Sequence, residues 1–273
     1  MVHFDGKDYQ KIALHGGGNP MFGHYVGLFE NLRWFEEFES LNTPFITSSA
    51  GSVAILYFIL RMKDKSKDIS FVFSRLVEEC ENVLSNIDKK SVISFEFIDD
   101  LVSKEFGCLY NMTFKDLSEL NPNFEWTICC SDYNSEYSLQ TYGTHTPDVI
   151  IWKACLASMA LPMIFPPIEI NGRLNCDGDL SGWIEALDLV NDESILHIGP
   201  RLNPTGSIGF TTDLLLIDEL LQFSMKCFLR MTRMKQPIHG VNRIEFMSSV
   251  HKHFFSEEYI ESGKLMADKF ILK

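Results

Sequence analysis

The stretch FITSSAGSVAIL, residues 45–56, joins a short apolar strand to an apolar helix through a few small residues. A serine or threonine at such a junction commonly caps the unpaired N–H groups of the first helical turn. The same stretch is also similar to the turn that lifts a nucleophilic serine out of a strand, because Gly51 follows Ser49 by two residues. Capping is the simpler interpretation of this stretch taken alone, and nucleophilic catalysis by Ser49 stays open beside it.

The same order of elements occurs just upstream. Residues 11–14 predict a strand that runs into HGGGNPMFG, residues 15–23, and residues 25–38 have helical spacing. A second strand over 44–47 and a helix over 50–62 follow. Two strand–turn–helix units in succession indicate an α/β fold with parallel strand pairing.

The remaining pattern predicts further elements of both kinds. They are a mostly helical region at 66–120, strands at 126–130, 137–142 and 195–198, a helix at 148–159, a hairpin at 168–176 that turns at Asn171-Gly172, and an amphipathic helix at 213–234. We expect one domain over 1–273, with a motif-bearing core at about 11–180 and a C-terminal helical part at about 205–273.

Composition narrows the function classes. A chain of 273 residues that is 45% apolar can bury a sizeable core, and a net charge of −13 argues against a nucleic-acid partner. The longest apolar run, residues 53–60, is too short to span a bilayer and predicts a buried helix. Seven cysteines without a C-x-x-C pair, and no secretory signal, lead us to expect reduced thiols in an intracellular, cytoplasmic protein.

Two further motifs carry candidate chemistry. The run Gly16, Gly17, Gly18 can point backbone N–H groups at an anion, although it lacks the lysine of a P-loop and also suits a tight turn. Residues 154–180, ACLASMALPMIFPPIEINGRLNCDGDL, end in an Asp177-Gly178 turn that can bring a carboxylate to a serine. We expect no metal and no cofactor, since the His251-Lys252-His253 cluster is a weak ligand set.

The order of these motifs resembles the patatin-like phospholipase family. The glycine run, the serine turn, A-S-x-A-x-P-x-x-F-P-P and the D-G turn cover residues 11–180, about two thirds of the chain. The resemblance implies a three-layer α/β/α fold with a central mixed, mainly parallel sheet. It also implies a serine acyl hydrolase of the phospholipase A or lysophospholipase type, acting on a phospholipid or another fatty-acyl ester.

Carried over residue by residue, the resemblance makes Ser49 the nucleophile and Asp177 its base, with Gly16, Gly17 and Gly18 as the oxyanion hole. An aspartate with an ordinary pKa of about 3.9 is a weak base, so apolar burial by Met163, Ile164, Phe165 and Ile168 is expected to raise that pKa. His15 and His24 flank the glycine run, which leaves a Ser–His mechanism open.

The sequence departs from the family pattern at three places. Residues 19–22 contain no arginine, and Thr47 replaces the first glycine of the serine turn. Asp179 follows the D-G turn where a small residue is usual, and its like charge near Asp177 is expected to raise one of the two pKa values. The altered glycine loop and Thr47 favour a catalytically impaired domain that binds lipid or a protein partner, whereas the retention of both Ser49 and Asp177 weighs against it. A third interpretation is an unrelated α/β domain in which the motifs occur by chance.

The 213–234 helix offers a membrane contact. Lys226, Arg230 and Arg233 fall on one helical face beside an apolar stripe, which is typical of a peripheral membrane helix. An ordinary surface helix with a solvated basic side explains the same spacing. The sequence leaves the oligomeric state open.

Overall fold

A computed structural model describes residues 2–4, 6–32, 41–64, 96, 99–100, 103–104, 107–162, 165–190, 192–200, 243–246, 257–267 and 270–272. Several sequence predictions lie outside these residues: the 213–234 helix, residues 65–95 of the helical region, the 251–253 histidine cluster, and the apolar neighbours Met163 and Ile164. Among the described residues, no helix combines the length and apolar character needed to cross a membrane.

The strands form one large and one small sheet. They are β1 (Val2–Phe4), β2 (Lys7–Tyr9), β3 (Lys11–Leu14), β4 (Phe45–Ser48), β5 (Trp126–Asp132), β6 (Leu139–Gly143), β7 (Ile168–Ile170), β8 (Arg173–Cys176), β9 (Ile195–Pro200), β10 (Arg243–Phe246) and β11 (Phe270–Leu272). The large sheet has the order β10-β9-β3-β4-β5-β8-β7, with β6 also paired to β5. Its β10-β9-β3-β4-β5 pairings are parallel, whereas β6, β7 and β8 pair antiparallel. The small sheet, β11-β1-β2, is antiparallel.

The described helices of four or more residues flank this sheet. They are α1 (Gly18–Leu32), α2 (Ala50–Lys63), α3 (Phe114–Leu120), α4 (Ile151–Met159), α5 (Trp183–Ala186) and α6 (Glu257–Ala267). The predicted hairpin at 168–176 is confirmed, and its turn has positive φ at Asn171 and Gly172, as a two-residue hairpin turn requires. One boundary was wrong: the first helix begins at Gly18 and not at residue 25, because the last glycine of the run and the residues after it already adopt helical backbone.

Side chains alternate between the two faces of the large sheet. Ile12 and Leu14 of β3 join the main core with α1, α2 and α4, while Ala13 between them joins a second cluster around Trp183. The same alternation separates Cys130 from Cys129 in β5. Apolar residues therefore cover the sheet on both faces, and the predicted mixed, mainly parallel α/β fold class is confirmed.

Helix α2 is central to the main core. Its residues 50–60 are all buried, so the helix is apolar all round, as expected of a helix enclosed by other elements. The prediction that the apolar run at 53–60 forms a buried helix is confirmed. At its exposed end, Arg61 pairs with Glu30 of α1 through a 2.6 Å contact between Nε and Oε1.

Helices α1 and α6 cross at two glycines. A Cβ atom on Gly263 would lie 2.0 Å from the carbonyl oxygen of His24, and one on Gly27 would lie 1.9 Å from that of Ile260. Both obstacles are backbone atoms, which cannot rotate away as a side chain can. The close approach of the two helices therefore depends on the absence of side chains at Gly27 and Gly263.

We expect Gly263→Ala to lower the free energy of unfolding by roughly 1–3 kcal/mol, because the added methyl group forces α6 away from α1. Urea unfolding followed by circular dichroism measures this change. Leu265→Ala is the matched control, since Leu265 lies on the same helix and is 70% exposed. Equal stability of the Gly263→Ala and wild-type proteins would contradict the close helix crossing.

Candidate active site

Ser49 lies between the end of β4 and the start of α2, in a backbone conformation that is rare for a residue with a side chain. Its φ is 49° and its ψ is −121°. The side chain makes no capping hydrogen bond to α2. Its hydroxyl instead donates a hydrogen bond of 2.9 Å to Oδ2 of Asp177. Ser49 therefore stands at the N-cap position without using its side chain as a cap.

Gly51 allows the turn to pack against the sheet. A Cβ atom at this position would lie 2.4 Å from the carbonyl oxygen of Leu14 in β3. Because the obstacle is backbone, any side chain at residue 51 would push α2 away from the strand that precedes the glycine run. The serine turn therefore requires glycine at residue 51 for a steric reason.

Asp177 reaches Ser49 because β8 runs antiparallel to β5. The chain leaving Cys176 returns along β5, and the Ser131 hydroxyl donates a 2.6 Å hydrogen bond to the carbonyl oxygen of Asp177. The Asp177 N–H donates to the carbonyl oxygen of Ala160 at 3.0 Å. Contacts to two different elements therefore hold the backbone of this aspartate beside the serine turn.

Burial changes the acidity of Asp177. Its side chain is almost fully buried, and desolvation raises the pKa of the carboxyl well above its ordinary value. The nearby charge of Asp179 raises it further, whereas hydrogen bonds from the Asp179 N–H and the Ser49 hydroxyl act in the opposite direction. The sequence had predicted a raised pKa both from apolar burial and from the like charge of Asp179, and both causes act on Asp177.

Asp179 is a second carboxylate next to this pair, and it is partly buried. Its Oδ1 accepts a 3.1 Å hydrogen bond from Nε1 of Trp183, and its backbone N–H donates to Oδ1 of Asp177 at 3.0 Å. Burial raises the pKa of Asp179, and interactions with Ser48, Trp183 and the Gly16 N–H oppose that rise. The Ser48 hydroxyl lies near the Asp179 carboxylate, but the two groups do not form a hydrogen bond of normal geometry.

The glycine run follows β3 and lies against both groups. A Cβ atom on Gly16 would lie 1.9 Å from Oδ2 of Asp179 and 2.9 Å from Cβ of Ser49. Gly17 has a φ of 138°, which side-chain-bearing residues rarely adopt, and Gly18 opens the 15-residue helix α1. The structure therefore brings the glycine run to the serine turn and places the positive end of a helix dipole there.

Histidines lie behind the glycine run. Nε2 of His15 is 3.0 Å from Nδ1 of His197, and the His15 ring packs against Trp183 with centroids 5.2 Å apart. The Tyr25 hydroxyl contacts the carbonyl oxygens of His15 at 2.7 Å and of Ile198 at 2.9 Å. Within the described part of the chain, the hydroxyl of Ser49 is hydrogen-bonded to a carboxylate and to no histidine.

Sequence reasoning missed the polar residues that support the pair. The Ser49 N–H donates a 2.8 Å hydrogen bond to the Ser158 hydroxyl, which itself donates to the carbonyl oxygen of Cys129 at 2.7 Å. Ser158 belongs to the A-S-x-A motif, so its position was visible in the sequence although its partner was not. Ser131 and Trp183 were not part of any motif argument, so no local sequence pattern pointed to their contacts.

The described residues contain no group of three or more histidine, cysteine or acidic side chains placed to hold a metal ion. Four cysteines in this part of the chain, Cys129, Cys130, Cys155 and Cys176, are buried free thiols.

The fold defines an α/β protein in which Ser49, after the central strand β4, is hydrogen-bonded to Asp177, after β8, beside the glycine run. The family model described as patatin-like phospholipase matches residues 16–182, more than half of the chain. The chain belongs to the patatin-like phospholipase family, a family of lipid hydrolases.

Solved structures of low sequence identity resemble the chain. VipD from Legionella pneumophila matches with 13% identity and a TM-score of 0.49, over 96% of this chain and 66% of that one. The type III effector protein ExoU matches with 14% identity and a TM-score of 0.34, over 83% of this chain and 53% of that one. ExoU of Pseudomonas aeruginosa in complex with SpcU matches with 13% identity and a TM-score of 0.36, over 96% and 53%.

This chain thus spans about half to two thirds of the length of those proteins. No curated protein sequence matches it at a significant level. The family assignment rests on the match over residues 16–182.

Because the pKa of Asp179 is raised in the folded protein, we expect the stability of Asp179→Asn relative to wild type to depend on pH. A carboxyl whose pKa is higher in the folded than in the unfolded protein stabilises the fold most at acidic pH. That contribution is lost as the pH rises above the unfolded value of about 3.9 toward the folded value. We therefore expect the stability of Asp179→Asn, relative to wild type, to increase from pH 4 to pH 8.

Urea unfolding at several pH values measures this slope. A loss of contacts in the variant shifts the stability difference by a constant amount, whereas the lost carboxyl changes it with pH. The buried thiols of Cys129, Cys130 and Cys176 have raised pKa values and stay protonated over this range. A stability difference that does not depend on pH would show that Asp179 has an ordinary pKa.

Proposed function

We propose that the chain is a serine acyl hydrolase of the phospholipase A or lysophospholipase type, with Ser49 as nucleophile and Asp177 as general base. The observation that carries this proposal is the 2.9 Å hydrogen bond from the Ser49 hydroxyl to Asp177. The unusual backbone of Ser49 supports it, since strained backbone at a polar residue is a common feature of catalytic turns. Membership of the patatin-like phospholipase family supports a lipid ester as substrate.

The reaction proceeds in two halves. Ser49 Oγ bonds to the acyl carbon of the ester as its proton passes to Asp177, and the bond to the alcohol oxygen then breaks as that oxygen takes the proton. Water attacks the acyl-serine, giving a proton to Asp177. The fatty acid leaves as the proton returns to Oγ. The raised pKa of Asp177 suits this role, because a base with a pKa nearer to neutrality accepts a hydroxyl proton more readily.

Backbone N–H groups of the glycine run stabilise the oxyanion in this scheme, each contributing about 2.7–4 kcal/mol to the transition state by analogy with other acyl-transfer enzymes. We propose Gly16, Gly17 and Gly18 as the loop that supplies them. The Gly16 N–H interacts with Asp179, which favours Gly17 and Gly18 as the donors. Both lie at the N-terminal end of α1, where the helix dipole favours negative charge.

A binding domain without turnover is the second candidate. The observation in its favour is the carboxylate of Asp179, whose Oδ2 packs against Gly16. This carboxylate lies next to the glycine run that would have to bind the oxyanion. A negative charge so close to a developing oxyanion opposes catalysis. The hydrogen bond between Ser49 and Asp177 keeps the hydrolase as the first candidate.

We expect Ser49→Ala and Asp177→Asn each to remove nearly all ester hydrolysis, whereas His15→Gln and His24→Gln retain most of it. The serine variant lacks the nucleophile, and the amide cannot accept the serine proton. The measurements are kcat/KM on a soluble short-chain ester and labelling by a fluorophosphonate, which reacts rapidly only with an activated serine.

Circular dichroism checks that each variant folds, because all four residues are buried. Failure of the folded wild-type protein to react with the fluorophosphonate would favour the binding domain. A His15→Gln or His24→Gln protein as inactive as Asp177→Asn would instead assign the base to a histidine.

The activity of Asp179→Asn is expected to have a different pH profile. Asp177 must be ionised to accept a proton, so kcat/KM rises with pH through the raised pKa of that carboxyl. Removal of the neighbouring charge lowers this pKa and shifts the acidic limb to lower pH. An acidic limb at the same pH in both proteins would exclude Asp179 as a cause of the raised pKa.

A further inference from the structure

Thr47 occupies the position where the family pattern has the first glycine of the serine turn. It lies in β4 and is fully buried. Its Oγ1 accepts a 2.9 Å hydrogen bond from Nε1 of Trp126 and lies 2.9 Å from the Ser52 hydroxyl. The replacement of glycine by threonine thus adds a hydroxyl that is hydrogen-bonded on both sides.

The hydrogen bonds continue from Ser52 to the serine turn. The Ser52 hydroxyl lies 3.2 Å from that of Ser158, and Ser158 accepts the 2.8 Å hydrogen bond from the Ser49 N–H. Ser158 also donates to the carbonyl oxygen of Cys129 at 2.7 Å. A continuous line of polar contacts therefore connects the indole of Trp126 in β5 to the backbone of Ser49.

The direction of each hydrogen bond follows from counting hydrogens, because a hydroxyl group has only one to donate. Ser158 uses its hydrogen on Cys129, so Ser52 must donate to Ser158. Thr47 must then donate to Ser52, whose own hydrogen is used. The 3.5 Å contact from Thr47 to the Thr127 carbonyl oxygen is longer and weaker.

All donors consequently point the same way, from Trp126 through Thr47, Ser52 and Ser158 to Cys129. Hydrogen bonds aligned in this way polarise and strengthen one another in a buried environment. This line of hydrogen bonds also fixes the orientation of the Ser158 hydroxyl. One lone pair of its oxygen accepts from Ser52, and the other accepts from the N–H of Ser49.

We propose that Thr47 is a positioning residue that acts through Ser52 and Ser158 to hold the Ser49 backbone in its strained conformation. The proposal rests on the proposed role of Ser49 as nucleophile. A glycine at residue 47 would leave the buried Trp126 N–H without its acceptor and Ser52 without its donor. Thr47 therefore supports the serine turn by polar contacts where the family pattern uses glycine.

The experiment compares Thr47→Val, which removes the hydroxyl at similar shape, with Thr47→Ser, which keeps it. For Thr47→Val we expect kcat to fall about tenfold with KM within about twofold, because the attacking oxygen is misplaced while the substrate contacts remain. Thr47→Ser is expected to stay near wild type. Ser52→Ala interrupts the same line of hydrogen bonds closer to Ser49, and we expect it to behave as Thr47→Val does.

Thr127→Val is the matched control. Thr127 lies beside Ile46 in the neighbouring strand and is only partly buried. We expect the kcat of Thr127→Val to be unchanged. This control separates the general effect of replacing a threonine in a strand from the loss of the hydrogen bonds between Trp126 and Ser158.

Amide hydrogen exchange of the peptide covering residues 45–56 gives a second readout that does not depend on activity. Thr47→Val and Ser52→Ala should exchange faster there than wild type, and Thr47→Ser should not. Unchanged kcat and exchange in a folded Thr47→Val protein, or equal losses in Thr47→Ser and Thr47→Val, would overturn the proposal. A wild type that lacks Ser49-dependent activity would refute the proposed function itself, which the Ser49→Ala comparison detects separately.

Discussion

The strained backbone of Ser49 is the constraint on which the other features of the site depend. A side-chain-bearing residue held in such a conformation costs of the order of 1–3 kcal/mol and persists only where its surroundings fix it. Here the N–H of Ser49 donates to Ser158, and its carbonyl oxygen accepts the N–H of Ser52 at 2.9 Å. The side chain is thereby freed from capping α2 and directed at Asp177.

The carboxylates introduce a second cost. The buried Asp177 and the partly buried Asp179, separated in sequence by one glycine, raise each other's free energy when both are ionised. Gly178 makes their proximity geometrically feasible, because a Cβ atom there would lie 2.0 Å from the carbonyl oxygen of Cys129. An arrangement that destabilises the ionised protein in this way is typical of sites selected for reactivity, and it agrees with the proposed role of Asp177 as a base.

Asp179 and Thr47 are both departures from the family pattern, yet each has polar partners in the structure. Asp179 accepts from Trp183, and Thr47 accepts from Trp126. Two tryptophans on opposite sides of the sheet thus supply indole N–H groups to residues next to the proposed dyad. The structure therefore accommodates both departures through specific polar contacts.

The sequence by itself determined the α/β class and the strands and helices around the serine turn, and through the family resemblance it suggested Ser49 and Asp177 as the candidate pair. Periodicity and turn residues act over a few positions, so they are legible in one stretch such as residues 45–56. It did not determine whether Ser49 caps α2 or faces a carboxylate, because Asp177 is 128 residues away. Only the antiparallel return of β8 along β5 brings the two together.

The roles of Ser158, Trp126 and Trp183 were likewise decided by tertiary structure. A hydrogen bond between distant residues leaves no periodic signal, since it depends on how strands and helices stack and not on local spacing. The burial that raises the pKa of Asp177 is of the same kind. Local sequence supplied the reactive groups, and the packing of the sheet against α2 and α4 set their distances, partners and acidity.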